Sequence, residues 1–234
     1  MLIRFIFNES LALVKNNITI IAPTVLVSLI SLIISSATIG NSLDLSAAHT
    51  PEEMLTMLQG VFGKILTLSI INYFLQALAH AVSIVLVREA YFKKPVSIDV
   101  AFLFTMRKIG TLFFASIITG ILLFLGVFLF LVPSVLVSYF FMFTFVIILN
   151  EDLSAIESIK RSIYLVRTNI LNTIMFYVHL LMLAMTVMLV SMTLAGVDRL
   201  GVVASTLVNG LYMTFVAACI MRYYIELRRV EIKT

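Results

Sequence analysis

The sequence predicts an all-α fold: a polytopic membrane bundle of six transmembrane helices with amphipathic helices at its cytoplasmic interface and both ends on that side. Three observations carry the prediction. Of 234 residues, 62% are hydrophobic and only 12% charged, whereas a soluble chain is about a quarter charged. The mean hydropathy of +1.13 is concentrated in long uncharged runs. Lysine and arginine then fall almost entirely on alternate sides of those runs.

The runs were measured against a hydrocarbon core of about 30 Å, which takes about 20 helical residues to cross. Ile18–Gly40, Ile65–Val87, Ile170–Val197 and Leu200–Met221 each fit one span. Ile109–Leu149 has no charge anywhere and would be about 60 Å long as one helix, twice what a bilayer needs. It must fold back, and Val132-Pro133-Ser134 is the place, because proline stops a helix. Spans at Ile109–Leu131 and Pro133–Leu149 bring the count to six in one domain, 1–234.

Charge sets the orientation. With the N-terminus inside, the cytoplasmic side holds Arg4, Lys15, Arg88, Lys93, Lys94, Arg107, Lys108, Lys160, Arg161, Arg167, Arg222, Arg228, Arg229 and Lys233, and the outer side only Lys64 and Arg199. That bias places both termini in the cytoplasm. The net charge of +4 follows from it and implies no nucleic-acid partner. The first run exceeds the 7–15 residues of a signal-peptide core and is expected to stay as an anchor.

The cytoplasmic connections have helical character of their own. Leu153–Asn169 sets Ile156, Ile159, Ile163 and Val166 on one face against Lys160, Arg161 and Arg167, and Ser154 with Glu157 is a capping-box start. Such a helix is expected flat in the headgroup layer with the three cations as anionic-lipid contacts. Ile3–Lys15 and Ile98–Lys108 have the same character, so the chain reads as three units, each an interfacial helix and a pair of spans. In the outer segment Asn41–Gly60, Thr50-Pro51-Glu52-Glu53 starts a short helix, with a kink away from the second span expected at Gly60 and Gly63.

The second span carries Ser69, Asn72, Gln76, His80 and Ser83 on one helical face. This polar lane has two readings, a path for protons, solutes or lipid headgroups and interhelical hydrogen bonding; the second is favoured. His80 and His179 fall at similar depth and could meet, yet two histidines without a carboxylate or thiolate make a poor metal site. Asn172 and Asn209 read as structural. Arg222 and Glu226 read as an ordinary i,i+4 pair. Cys219, alone in an apolar run, offers no disulfide or zinc site. There is no phosphate loop, zincin motif or serine elbow and no acid inside a span, so the chain is expected to be non-enzymatic, with no catalytic, cofactor or metal residues.

One stretch has a wider likeness. Leu131-Val132-Pro133, then Asn150-Glu151-Asp152, then Ser158, Ser162, Leu165 and Asn169 in the form Ser-x-x-x-Ser-x-x-Leu-x-x-x-Asn, resembles the YciC-type family of bacterial inner-membrane proteins. More remotely it is similar to the membrane domain of some glycerophosphodiester phosphodiesterases. Ser134 departs from the glycine common there. The resemblance implies a proline hairpin fold and an inner-membrane address, and no reaction. The expected partners are membrane lipids, anionic ones in particular, with a membrane protein partner or a second copy as a further class. The alternative to a lipid-interacting or accessory subunit is a small-solute or lipid transporter using the polar lane.

Overall fold

Proline, glycine and charge decide where each helix starts and stops. The computed structural model describes residues 2–39, 50–95, 97–129 and 132–233; the expectations for Asn41–His49 lie outside these, and the turn expected at Val132-Pro133-Ser134 is instead the first turn of a helix. Among the described residues there are ten α-helices and no strand: α1 (Leu2–Asn16), α2 (Ala22–Ile39), α3 (Pro51–Tyr91), α4 (Ile98–Arg107), α5 (Ile109–Phe128), α6 (Val132–Phe141), α7 (Thr144–Glu151), α8 (Ala155–Thr168), α9 (Ile170–Ala195) and α10 (Arg199–Lys233). Five segments are long and apolar enough to cross a membrane: Gln59–Tyr91, Ile109–Phe128, Val132–Glu151, Ile170–Ala195 and Arg199–Glu231. This is the make-up of a multi-pass membrane protein.

Several boundaries differ from the sequence reading, each for a local reason. The run at Ile18–Gly40 is not one helix: a 3₁₀ turn at Ile18–Ile20 precedes α2, and Pro23, lacking an N–H, sits in the first turn of α2. The α2 segment is apolar but shorter than the other five. Gly60 and Gly63 do not separate an outer helix from the second span: α3 runs as one helix of 41 residues, about 60 Å. Glycine weakens a helix by about 1 kcal/mol without ending it. The span drawn at Pro133–Leu149 is broken at Met142–Phe143 into α6 and α7. The last helix continues past Met221 to Lys233, where its charges find partners.

The reversal of the 109–149 run falls between Phe128 and Val132, with Pro133 in the first turn of α6. Gly126 makes the hairpin possible: a Cβ there would lie 2.5 Å from the Ser134 backbone nitrogen. Gly210 plays the same part where α10 crosses α2, since a Cβ would meet Val25 at 2.9 Å. There the Thr24 hydroxyl donates to the Gly210 carbonyl at 2.9 Å, a small-residue contact of the kind that holds membrane helices together.

A threefold repeat emerges in the interfacial helices. Each has a buried small residue, a second buried residue one turn on, a polar step three residues later, and then an isoleucine opening the next segment. The sets are Ser10, Val14, Asn17, Ile18; Ala101, Thr105, Lys108, Ile109; and Ser162, Val166, Asn169, Ile170. In the first and third units the asparagine amide donates back to the leucine carbonyl four residues earlier, at 2.9 Å (Asn17 to Leu13) and 3.2 Å (Asn169 to Leu165).

The core lies toward the end of the bundle where α1, α4 and α8 gather. Val146, Ile147, Ile148 and Leu149 of α7 are buried on every side, as expected of a helix surrounded by others. Around them pack Ala81–Val87 of α3 and Ala217–Met221 of α10, with Tyr223 between Phe176 and Phe143, ring centroids 4.4 and 5.8 Å away.

Candidate functional site

The polar residues of α3 face α2. Asn72 Oδ1 accepts from Ser31 at 2.6 Å, Gln76 donates to Ser28 at 3.1 Å, and Ser83 donates to the Ile20 carbonyl at 3.2 Å. Gln76 and His80 are partly covered, while Asn72 is exposed at the rim and Ser69 is also exposed. The space beside Ser31 and Asn72 amounts to about 10 Å³, room for about one water. The lane is thus stitched shut along α2 rather than open through the bundle.

The histidines are not brought together. His80 Nδ1 is sealed from solvent without a hydrogen-bond partner, and its ring lies near Phe145. His179 is exposed, bonds the Met175 carbonyl of its own helix at 2.7 Å, and sits edge-on to Phe7. Asn209 donates to Ser191 at 3.1 Å, joining α10 to α9. Among the described residues no group of three or more His, Cys, Asp or Glu side chains is placed to hold a metal.

The amphipathic helix α8 is rotated from its expected setting. Its buried residues are Ala155, Ser158, Ile159, Ser162, Leu165 and Val166, and this face packs on protein, against α5, α6 and α7. Of the stripe expected to enter the acyl boundary, Ile159 and Val166 are buried in the bundle, Ile163 is half-buried and Ile156 is exposed. Ser162 explains the rotation, while the Ser158 hydroxyl is buried without a partner among the described residues. Ser162 donates to the Phe140 carbonyl at 2.7 Å and accepts from the Phe143 amide at 3.2 Å, so it satisfies the backbone that the break between α6 and α7 leaves open. Ser158, Ser162, Leu165 and Asn169 all lie on the inner side or at the end of α8.

Arg161 is part of an ionic cluster. Its guanidinium meets Glu231 at 2.6 Å and Glu151 at 3.4 Å. Burial alone would lower it, yet the Glu231 hydrogen bond and the two carboxylate charges outweigh that and hold it above the ordinary arginine value. Glu151 is the hub: it also accepts from the Tyr224 hydroxyl at 2.6 Å and faces Arg228 at 3.6 Å. Two cations close the end of α7, where carbonyls lack helical partners. Arg88 donates to the Leu149 carbonyl at 3.1 Å, and Lys108, paired with Asp152, reaches the Ile148 carbonyl at 3.5 Å. Burial, with Arg88 nearby, pushes Lys108 below the usual lysine range. Asp152 ends α7 in the left-handed conformation, φ 55°.

A second cluster surrounds Arg222, whose side chain is only 6% exposed. It binds Glu9 of α1 at 2.6 Å as well as Glu226, and lies between the rings of Phe5 and Tyr91. The pair with Glu226 was visible in the sequence spacing; Glu9 and Tyr91, far away in sequence, were not. The acids closing the α7 segment were the signal for Glu151, and its three partners, Arg161, Tyr224 and Arg228, come from α8 and α10. Lys160 and Arg167 remain exposed on α8, Arg167 near the Phe140 ring at 5.9 Å.

These contacts gather α1, the end of α3, α4, α8 and the end of α10 at one end of the bundle. They perform no evident chemistry; they lock that end and leave certain cations outward. Comparison with family models, curated proteins and solved structures returns no match.

Proposed function

We propose that this is a non-enzymatic inner-membrane protein of six spans, α2 being the sixth, with both ends cytoplasmic, which engages anionic lipid at the cytoplasmic leaflet. One observation carries the reading. Each repeat unit ends its interfacial helix on an exposed cation, Lys15, Arg107 and Arg167, just before the segment that enters the membrane. Beside these cations the same helices expose large apolar side chains, Phe5 and Leu11, Phe102 and Leu103, Ile156 and Tyr164. That pairing suits a headgroup layer over an acyl boundary. The likeness to YciC-type proteins supports the address.

The test is reconstitution of the full chain with mixed anionic and zwitterionic phospholipid, followed by analysis of the lipid that co-purifies. Lys15→Gln, Arg107→Gln and Arg167→Gln together should remove anionic enrichment, at about 1 kcal/mol per charge. Unchanged lipid content would leave these cations a purely topological role. Cysteine labelling gives the topology: Asp198→Cys should react from outside, and Lys94→Cys and Arg229→Cys only from inside.

A further inference from the structure

The three units are alike at their basic steps but not in what lies beside them. In the second unit, α5 packs chiefly on α6 and touches α3 sparsely, so a seam opens between α3 and α5. It contains two adjoining apolar clefts, about 300 Å³ toward the α4 end and about 700 Å³ beyond. Between them Tyr73 forms a crossbar, its hydroxyl donating to the Ser116 carbonyl at 3.0 Å. Gly120 lies beneath the ring, where a Cβ would sit 3.3 Å away. The α4-side cleft is walled by Phe74, Ala77 and Leu78 of α3 and by Ile109, Leu112 and Phe113 of α5. From Ile109 to Ser116 the wall rises about 10 Å, within the depth of one leaflet.

The charge at the mouth fits one kind of occupant. The cleft begins at Ile109, two residues after exposed Arg107, which has no ion pair among the described residues, and one after Lys108. Lys108 is balanced by Asp152, so Arg107 supplies the unmatched positive charge. Gly110, in the first turn of α5, has open space where a Cβ would be, and α5 presents its positive dipole end there. An apolar slot about 10 Å deep, beginning two residues after a cation with no ion pair among the described residues, is complementary to the upper part of an acyl chain beneath a phosphate.

We propose that the α3–α5 seam seats one anionic phospholipid of the cytoplasmic leaflet, an acyl chain in the α4-side cleft and its phosphate at Arg107–Gly110. Tyr73 stops the chain near mid-membrane. This seat rests on the proposed cytoplasmic orientation and lipid role, and adds a defined, single-lipid site to them.

Native mass spectrometry of the full chain in detergent, with added phosphatidylglycerol or phosphatidylcholine, tests it. The wild type should retain one phosphatidylglycerol in preference to phosphatidylcholine. Arg107→Gln, at an exposed position, should weaken phosphatidylglycerol retention about fivefold, the equivalent of about 1 kcal/mol, and weaken that of phosphatidylcholine, whose phosphate charge is offset by its choline, by less. Ala77→Phe, which fills the cleft, should displace both lipids. Retention unaffected by either substitution overturns the seat, as does equal retention of the two lipids by the wild type. Cross-linking of Phe113→Cys to a second chain would overturn it in favour of a protein occupant. Anionic enrichment that falls with Lys15→Gln and Arg167→Gln but not with Arg107→Gln or Ala77→Phe rejects this seat alone. Absence of any anionic enrichment rejects the wider lipid reading.

Discussion

The two ends of the bundle are held by different forces. At the α8 end, helices distant in sequence meet through buried rings and through carboxylates shared among arginines, with Glu151 and Arg222 at the centres. Away from it, contacts are single hydroxyl and amide bonds, Ser31 to Asn72 and Asn209 to Ser191, and α5 and α9 leave many apolar side chains uncovered. The difference follows from the solvent. Apolar side chains gain little by leaving lipid for protein, whereas charges near the interface gain by finding each other when water is partly excluded. One end is therefore locked, and the other can open a seam.

If that contrast is right, breaking the locked end should cost far more than breaking the open one. Glu151→Ala leaves Arg161 and Arg228 to share Glu231 alone and frees the Tyr224 hydroxyl, with an expected loss of about 3 kcal/mol, read as a fall in unfolding midpoint of the detergent-solubilised chain. A loss no larger than that from an outer-half amide would erase the distinction.

Ser162→Ala should come next, at about 1–3 kcal/mol, because it leaves the Phe140 carbonyl and the Phe143 amide unsatisfied in a buried break. Hydrogen exchange at Phe143 should rise in this variant while exchange in α9 stays constant. Asn209→Leu removes one interhelical bond far from the cluster and should cost about 0.6 kcal/mol in the same unfolding assay.

The smallest effect concerns pH. Glu157 accepts from the Ser154 hydroxyl at 2.6 Å and from its backbone amide at 3.1 Å, which holds its carboxyl below the ordinary 4.5. A depressed folded value stabilises the charged form. The contribution is complete above 4.5 and fades as pH falls below it, through the folded value. Amide protection in the first turn of α8 should follow that course, and Glu157→Gln should flatten it.

Much of the architecture was legible because membrane solvation writes it in composition. The capping box at Ser154 and the separate helices Leu2–Asn16, Ile98–Arg107 and Ala155–Thr168 stand where the sequence pattern put them, while the Val132-Pro133-Ser134 turn is the start of a helix. The rotation of α8 was not legible, because periodicity ranks isoleucines above serines, and only the broken backbone beneath Ser162 reverses that order. The repeat at Ser10, Ala101 and Ser162 was present in the sequence as Leu-Val followed by a cation and then asparagine at residues 13–17 and 165–169. The three units were legible from these polar steps, but the shared burial register was not, because the second unit keeps it with different side chains. The partners of Glu151 and the pairing of Arg222 with Glu9 could not be read, since no local spacing joins Glu9 to Arg222.

That last contact bears on how the chain is made. Glu9 and Arg222 are 213 positions apart, and Arg161 meets Glu231 across 70. A ribosome delivers the early partners first, at about 5–20 residues per second. The first helix thus reaches the membrane surface roughly ten or more seconds before its arginine exists. During that interval Glu9 stands without Arg222, and Glu151 and Arg161, once made, have only each other, so the final turns of α10 act as the clasp that closes the assembly.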